Sequence, residues 1–600
     1  MARHIDFYAS AATTEAQLST DPAVEGFVVD QDDALGIDRR PRRWSPARGW
    51  GPVSTITLPV EGMTCEHCET TIEAALSAGG ARDPKADFRR GVAVFGFDGD
   101  PAPAVEAVRA AGYRPGAPSH HAQTGVSRPG RSGSPGSGHV DLVTIGSGSA
   151  TFAAAIRARS LGATVAMVES GTVGGTCVNV GCIPSKALLA AAETYHRAGA
   201  PRFPGVATAQ TKVDFAALVA SKDAIVGALR QEKYLDLAAE YGFEVIHGCA
   251  TFTGSDRVAV DGREMRADAF LIATGSAPFV PPIAGLAEAG YLTSTAAMEL
   301  QELPESLVVI GGNYIGLEMG QLFADLGCRV TVVEALSRLA PGEEPEVSAW
   351  ITEGLTDQGI EVLTSASIIA VEPGQPKAVV AEVGGTRRRL EAAEVLVATG
   401  RRPVLDGLGL DTAGVAIDEH RRLVLDDELR TTNPNVYAAG DVTGAPQFVY
   451  VAAAQGTLVA DNAVGGAGRK MDYAALPRVT FTAPTIAAVG LTEAQARAAD
   501  YDCECRALPL EHVPRARVNR DTRGGLKIVA ERDTGRVLGV SVVAEGAGEL
   551  ILAGVYAVKF GLTVTQLAET WAPYLTMAEA LKLAAQTFSV DVSKLSCCAA

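Results

Sequence analysis

Two cysteines five positions apart are the residues best placed to do redox chemistry. They lie in Gly174-Gly175-Thr176-Cys177-Val178-Asn179-Val180-Gly181-Cys182-Ile183-Pro184-Ser185-Lys186. Pro184 suits the start of a helix. A helix N-terminus and the cation of Lys186 both favour thiolate over thiol. The flanking glycines let the loop pass close to a ligand. The pair therefore reads as a dithiol/disulfide couple and not as two packing cysteines.

Three more pairs stand in the chain: Cys65/Cys68, Cys503/Cys505 and Cys597/Cys598. Ten cysteines in 600 residues are too sparse for a disulfide scaffold, so pairing points to metal or redox work. Gly62-Met63-Thr64-Cys65-Glu66-His67-Cys68 puts two thiols at a loop–helix junction, which suits a soft, two-coordinate ion. Half a zinc site is the alternative, but no second pair stands near it. Adjacent Cys597 and Cys598 close a disulfide ring poorly, yet they can offer two thiolates to a metal. The alternative is an incidental exposed pair, a reactive liability. Cys503-x-Cys505 lies on an alternating, strand-like stretch and reads as structural; Cys249 and Cys328 match no motif.

The redox pair needs elements to position it. Just upstream, Val140–Ile145 reads as a strand, followed by the turn Gly146-Ser147-Gly148-Ser149-Ala150-Thr151, a helix, and a strand ending at Glu169. Leu307–Ile310, Gly311-Gly312-Asn313-Tyr314-Ile315-Gly316 and a strand ending at Glu334 repeat the pattern. Strand, glycine turn, helix and an acid about 20 residues on make a dinucleotide site: the pyrophosphate sits on the helix N-terminus and the acid binds the ribose. Thr151 replaces the usual third glycine of the first turn, and Asn313 the second glycine of the second. Two such sites imply an electron relay, with flavin adenine dinucleotide (FAD) as the resident store and NADH or NADPH as donor. Glu334 would repel a 2′-phosphate, so the sequence leans towards NADH.

The composition excludes other classes. Lys+Arg number 52 and Asp+Glu 70, a net charge of −18, which disfavours nucleic acid as partner. The Arg-rich stretch 39–43 reads as part of a solvated arm. No apolar run is long enough to cross a membrane and the start lacks a secretory signal, so a cytoplasmic protein is expected.

From Cys177 to Lys186, with Ala273-Thr274-Gly275, Ala398-Thr399-Gly400-Arg401-Arg402-Pro403 and Ala438-Ala439-Gly440-Asp441, the chain resembles the pyridine nucleotide–disulfide oxidoreductases over roughly 139–600. The resemblance implies that Cys182 lies against the flavin as a charge-transfer thiolate and that Cys177 is the exchanging thiol. It implies an FAD site built from Gly146, Gly148, Ala150, Thr151, Glu169, Gly171, Thr176, Lys186, Gly275 and Asp441. Lys186 would hold the ring region and Asp441 the ribityl chain. Gly311, Gly316 and Glu334 would hold the nicotinamide nucleotide. It also implies a homodimer in which one subunit's tail reaches the other's flavin.

The family's disulfide reductases end in His-Pro-Thr-x-x-Glu, whose His moves protons to and from substrate thiols. Here Tyr574-Leu575-Thr576-Met577-Ala578-Glu579 stands in its place, and the last histidine is His512. Glutathione, lipoamide and thioredoxin are disfavoured as substrates, whereas a soft metal ion needs no such shuttle. The segment 579–598, with Tyr234 and Tyr574, is similar to the mercuric reductases of this family, and the segment 62–68 resembles a heavy-metal-associated loop. That similarity implies NAD(P)H-dependent reduction of thiol-bound Hg(II) to Hg(0). Cys177, Cys182, Cys597, Cys598, Tyr234 and Tyr574 would be the catalytic residues. Cys65 and Cys68 would be metal ligands beside the two cysteine pairs.

The expected organisation is α/β: FAD- and NAD(P)-binding Rossmann-like domains plus an α+β dimerisation domain, preceded by a small ferredoxin-like βαββαβ metal-binding domain. The expected boundaries are an arm (1–50), metal domain (51–118), linker (119–138), FAD domain (139–290 and 411–474), NAD(P) domain (291–410) and dimerisation domain with its Cys-Cys tail (475–600).

Overall fold

Alternation of apolar and polar residues builds the first sheet. Ile56, Leu58 and Val60 point one way from β1 (Ser54–Glu61) and are buried. The computed structural model describes residues 54–61, 66–87, 92–97, 101–116, 119–121 and 139–594, in two units, Met1–Thr124 and Gly125–Ala600. The arm 1–50, Cys65, Cys597 and Cys598 lie outside the described residues.

In the first unit, β1 is followed by α1 (Glu66–Ala78), β2 (Arg82–Asp87), β3 (Val92–Phe97), α2 (Ala102–Ala110), β4 (Arg114–Pro115) and β5 (Ser119–His121). The first six make the βαββαβ order, in a sheet β2-β3-β1-β4. Ile72 and Leu76 of α1 and Val108 of α2 close the core over Phe95. One expectation is corrected: 119–121, assigned to the linker, pairs with Thr55–Thr57 of β1. Strand β4 covers only Val60 and Glu61, so the other end of that β1 edge still has backbone groups to satisfy.

The second unit opens with β6 (His139–Ile145), α3 (Ser149–Ser160) and β7 (Val165–Glu169). The redox loop forms α4 (Gly175–Asn179) and α5 (Cys182–Gly199), followed by α6 (Phe215–Arg230), β8 (Glu244–His247), β9 (Ala250–Gly254), β10 (Arg257–Val260) and β11 (Arg263–Ile272). Strands β8-β7-β6-β11 run parallel; β7 and the C-terminal halves of β6 and β11 are buried as near-continuous apolar runs, while the edge strand β8 exposes Glu244 and His247.

The repeat follows: β12 (Ser306–Ile310), α7 (Tyr314–Asp325), β13 (Arg329–Val333), β14 (Glu361–Leu363) and β15 (Glu394–Val397), a parallel sheet ordered β14-β13-β12-β15. The chain then returns, and β16 (Val436–Ala438) pairs with β11 of the first sheet. Helix α8 (Val449–Ala463) packs on α3, with Gly456 so close that a Cβ there would lie 1.9 Å from the Ala150 carbonyl oxygen.

The last layer is an antiparallel sheet of β17 (Pro477–Thr480), β18 (Thr485–Gly490), β19 (Cys503–Pro509), β20 (Gly525–Glu531) and β21 (Val537–Ala544), ordered β17-β18-β21-β20-β19. Helices α9 (Ala547–Lys559) and α10 (Glu579–Gln586) cover it. Among the described residues, no helix is long and apolar enough to cross a membrane.

Candidate redox and dinucleotide sites

The two glycine turns are built alike. Gly146 (φ +108°) and Gly311 (φ +112°) each begin a turn in the left-handed region, where a Cβ would lie 2.4 Å from the carbonyl oxygen of Ala273 or Ala398. Those alanines open the two Ala-Thr-Gly motifs, so each motif is the wall its turn packs against. Gly148 and Asn313 are the N-caps of α3 and α7, both in extended conformation. That is why Asn313 is tolerated where glycine is usual. Neither helix start is capped by a side chain, which leaves N–H groups for a phosphate.

The spaced acids close both turns. Glu169 accepts from Ser147 Oγ at 2.5 Å and from the Gly171 amide at 2.6 Å. Glu334 accepts from the Gly312 and Leu336 amides at 2.7 Å each. At the third-glycine position, Gly316 sits with a virtual Cβ 1.9 Å from the Gly311 carbonyl oxygen. Thr151 holds the matching place in the first turn fully buried, its hydroxyl unpartnered, behind Ala150.

The redox loop lies against the first turn. A Cβ on Gly175 would come 2.6 Å from Gly148 Cα, and the Gly174 amide donates to Ser147 Oγ at 3.1 Å. Thr176 and Cys177 are in α4, while Cys182 is the first residue of α5. Asn179 braces the loop, donating to the Val173 and Gly175 carbonyls and accepting from Arg230.

Both thiols are reduced and partly buried. They share a hydrogen bond, and its effect is opposite on the two. Cys182 is lowered to about 7, first because Cys177 donates to it and further because of Lys186; burial and Glu318 oppose. Cys177 is pushed up, first by holding that proton and then by burial and the Cys182 charge. The proton thus stays on Cys177 and the thiolate forms at Cys182.

Lys186, one turn into α5, points its Nζ at Glu318 Oε2 of α7 at 2.6 Å. Tyr234 sits on a single π-helical turn, Gln231–Leu235, after α6. Its ring meets Phe152 edge-on at 4.8 Å. Burial raises its hydroxyl pKa, a hydrogen bond to Ser149 lowers it, and the charges of Cys177 and Cys182 raise it. Cys182 also acts on Tyr450, at the start of α8. Tyr574 is not in this group; it is 49% exposed in the loop before α10. Cys68 lies half-buried in the first turn of α1.

Three distant motifs meet on the far side. Ser276, after Gly275, donates to Asp441 Oδ2 at 2.7 Å, and Arg401 Nε donates to Ser276 Oγ at 2.7 Å. Gly275 (φ +71°) faces open space, with nothing within 4 Å of a Cβ. Glu318, Ser276 and Tyr450 escaped the motif reading, because each acts through a partner far away in sequence, and the same holds for the role of Arg401 within its motif.

Uncapped helix starts, acids turned onto them, and an open cradle at Gly275 fit one dinucleotide at each turn. A dithiol beside one of two such turns defines a dithiol oxidoreductase of the two-dinucleotide class. The sequence matches the pyridine nucleotide-disulphide oxidoreductase family over 140–456, that family's dimerisation domain over 476–585 and a heavy-metal-associated domain over 57–114. The chain belongs to the pyridine nucleotide–disulphide oxidoreductase family and, within it, to the mercuric reductases. A mercuric reductase of Streptomyces lividans is 57% identical, covering 76% of this chain and 98% of its own length. One of Bacillus cereus is 50% identical over 90% of this chain and 86% of its own. Among solved structures, the Cu(II) complex of the HOCl-induced flavoprotein disulfide reductase RclA from Escherichia coli is 32% identical. It has a TM-score of 0.67 and covers 75% of this chain and 99% of that one.

Proposed function

We propose that this chain reduces thiol-bound Hg(II) to Hg(0), using NADH in preference to NADPH, as a homodimer. The observation that carries the reading is the company of the dithiol. Among the described residues, Lys186, Glu318, Tyr234 and Tyr450 act on the Cys177/Cys182 pair, and Tyr574 stands where the family's proton-moving histidine would be. A pair without a proton shuttle suits a cation that trades one thiolate for another.

The turn at Gly146–Thr151, with Glu169, Lys186, Gly275 and Asp441, would hold FAD; Gly311, Gly316 and Glu334 would hold the nicotinamide nucleotide. Bound there, the two groups supply the pair of electrons that the reaction consumes. Cys177, the exchanging thiol, attacks Hg(II) in its bis-thiol complex, one Hg–S bond forming as another breaks and its proton going to the departing thiolate. The Cys182 thiolate then displaces the second carrier thiolate. The ion then takes two electrons and leaves as Hg(0), both Hg–S bonds breaking with their electron pairs kept by sulfur, so Cys177 and Cys182 are left as thiolates. Tyr234 shields the pair from Ser149's side. Tyr574 and the Cys597/Cys598 pair would enter from the partner subunit and hand over the ion. Cys65 and Cys68 would hold or deliver Hg(II) upstream.

Oxidation of NADH by the FAD-loaded enzyme, with Hg(II)–cysteine complexes beside glutathione disulfide, lipoamide and oxidised thioredoxin as acceptors, tests this reading. The mercury complex is expected to be the only good acceptor. Faster turnover of any disulfide would favour the rival, a disulfide reductase using its C-terminal cysteines as a relay.

A further inference from the structure

Cys503 and Cys505 do not behave as simple packing residues. They alternate along β19, so both side chains leave the same face of an edge strand. Both line one cleft of about 370 Å³, together with Glu493, Arg497, Arg506 and Arg532. Cys503 is buried against Ala496, Val529 and Leu538, while Cys505 is half-buried; both carry free thiols. Glu493 is hydrogen-bonded to Cys505 and is itself held by Lys527 Nζ at 3.0 Å and by Arg497 Nη2 at 2.8 Å. Arg497 feels the charge of both thiols.

We propose that Cys503 and Cys505 form a second soft-metal site, a two-coordinate dithiolate for a thiophilic cation such as Hg(II). Residues i and i+2 of a strand stand about 6.6 Å apart at Cα. That is near the upper limit for a disulfide. A linear S–metal–S unit, with bonds of about 2.3 Å, needs about 4.6 Å between sulfurs, which the two side chains span without bending the strand. Zinc asks for four ligands, and among the described residues no group of three or more His, Cys, Asp or Glu is arranged to hold a metal. Two thiols instead match an ion delivered as a two-coordinate bis-thiolate complex, and the rim carries both charge signs, with Arg497, Arg506, Lys527 and Arg532 set against Glu346, Glu493 and Glu504. The exchange balances without redox: two Hg–S bonds to the carrier break, two to Cys503 and Cys505 form, and the two S–H protons leave on the carrier thiols. No electrons move, so the site stores the ion and does not reduce it. The inference holds whether or not the chain turns mercury over.

The test is a count of retained metal. Full-length, FAD-loaded enzyme is reduced, desalted, given Hg(II) as its cysteine complex without nicotinamide nucleotide, and desalted again. Wild type is expected to hold one more Hg(II) per chain than Cys503→Ser/Cys505→Ser; equal counts would overturn the site. Should the buried Cys503→Ser change unfold the domain, Cys505→Ser alone is expected to lose the same single equivalent. In wild type, Hg(II) is expected to slow alkylation of Cys505 at least tenfold, and an unchanged alkylation rate would overturn the site. Zn(II) given in place of Hg(II) is expected not to protect Cys505; equal protection would overturn the two-coordinate assignment.

Discussion

Lys186 Nζ stands 2.6 Å from Glu318 Oε2, which ties the helix starting at Cys182 to the helix starting at the second dinucleotide turn. The Phe481 amide donates to the other Glu318 oxygen at 2.9 Å, and the Phe481 ring lies 4.6 Å from the lysine nitrogen. The cation beside the redox pair is therefore aimed from two other parts of the fold.

This fixes the sign of a pH effect. Lys186 favours the Cys182 thiolate and Glu318 disfavours it, around a value of about 7. Lys186→Met is expected to move the midpoint of Cys182 alkylation to higher pH, and Glu318→Gln to lower pH. The measurement is alkylation rate against pH on the reduced enzyme. Midpoints that move the same way in both variants would contradict the arrangement.

Arg478 holds the buried Glu343 through Nε and Nη2, both at 3.0 Å, while the Tyr314 hydroxyl donates to the same carboxylate at 3.0 Å. Arg478→Met would leave that carboxylate buried without its cation. A loss of about 3–5 kcal/mol in denaturant unfolding is expected. A loss no larger than that of an exposed control such as Arg532→Met would show the pair to be incidental.

Glu334 is closed onto Gly312 and Leu336, and the proposed NADH preference rests on its charge opposing a 2′-phosphate. Glu334→Gln keeps the shape and removes the charge. The ratio of kcat/KM for NADPH over that for NADH is expected to rise about tenfold or more, the equivalent of about 1.4 kcal/mol of relieved repulsion. An unchanged ratio would take donor choice away from this residue.

Cys597→Ala/Cys598→Ala is expected to leave reduction of a small, accessible oxidant intact while lowering turnover of thiol-bound Hg(II). Equal mercury turnover in the variant would remove the tail from the reaction.

Much of the site was legible because its signals are local. The Val140–Ile145 and Leu307–Ile310 strands, both glycine turns, the acids at 169 and 334 and the Cys177–Cys182 loop are set by spacing within a few turns of chain. The Asn313 departure needed coordinates: only an extended N-cap shows why a side chain is tolerated there. The Lys186–Glu318 and Arg401–Ser276 contacts span more than a hundred residues and leave no periodic trace. The π turn Gln231–Leu235, which carries Tyr234, interrupts an otherwise helical pattern. Strand β5 is not legible in the sequence because Ser119–His121 carries no apolar alternation; its backbone pairing with Thr55–Thr57 defines it.

The most direct test follows mercury itself. Purified enzyme, NADH and Hg(II) in excess cysteine are sealed under a gas stream, and Hg(0) vapour is counted against NADH consumed. One mercury atom released per NADH, abolished by Cys182→Ala, is the expected result. NADH consumption no faster with Hg(II) than without it, or consumption without vapour, would contradict transfer of electrons from the sulfur pair to the metal.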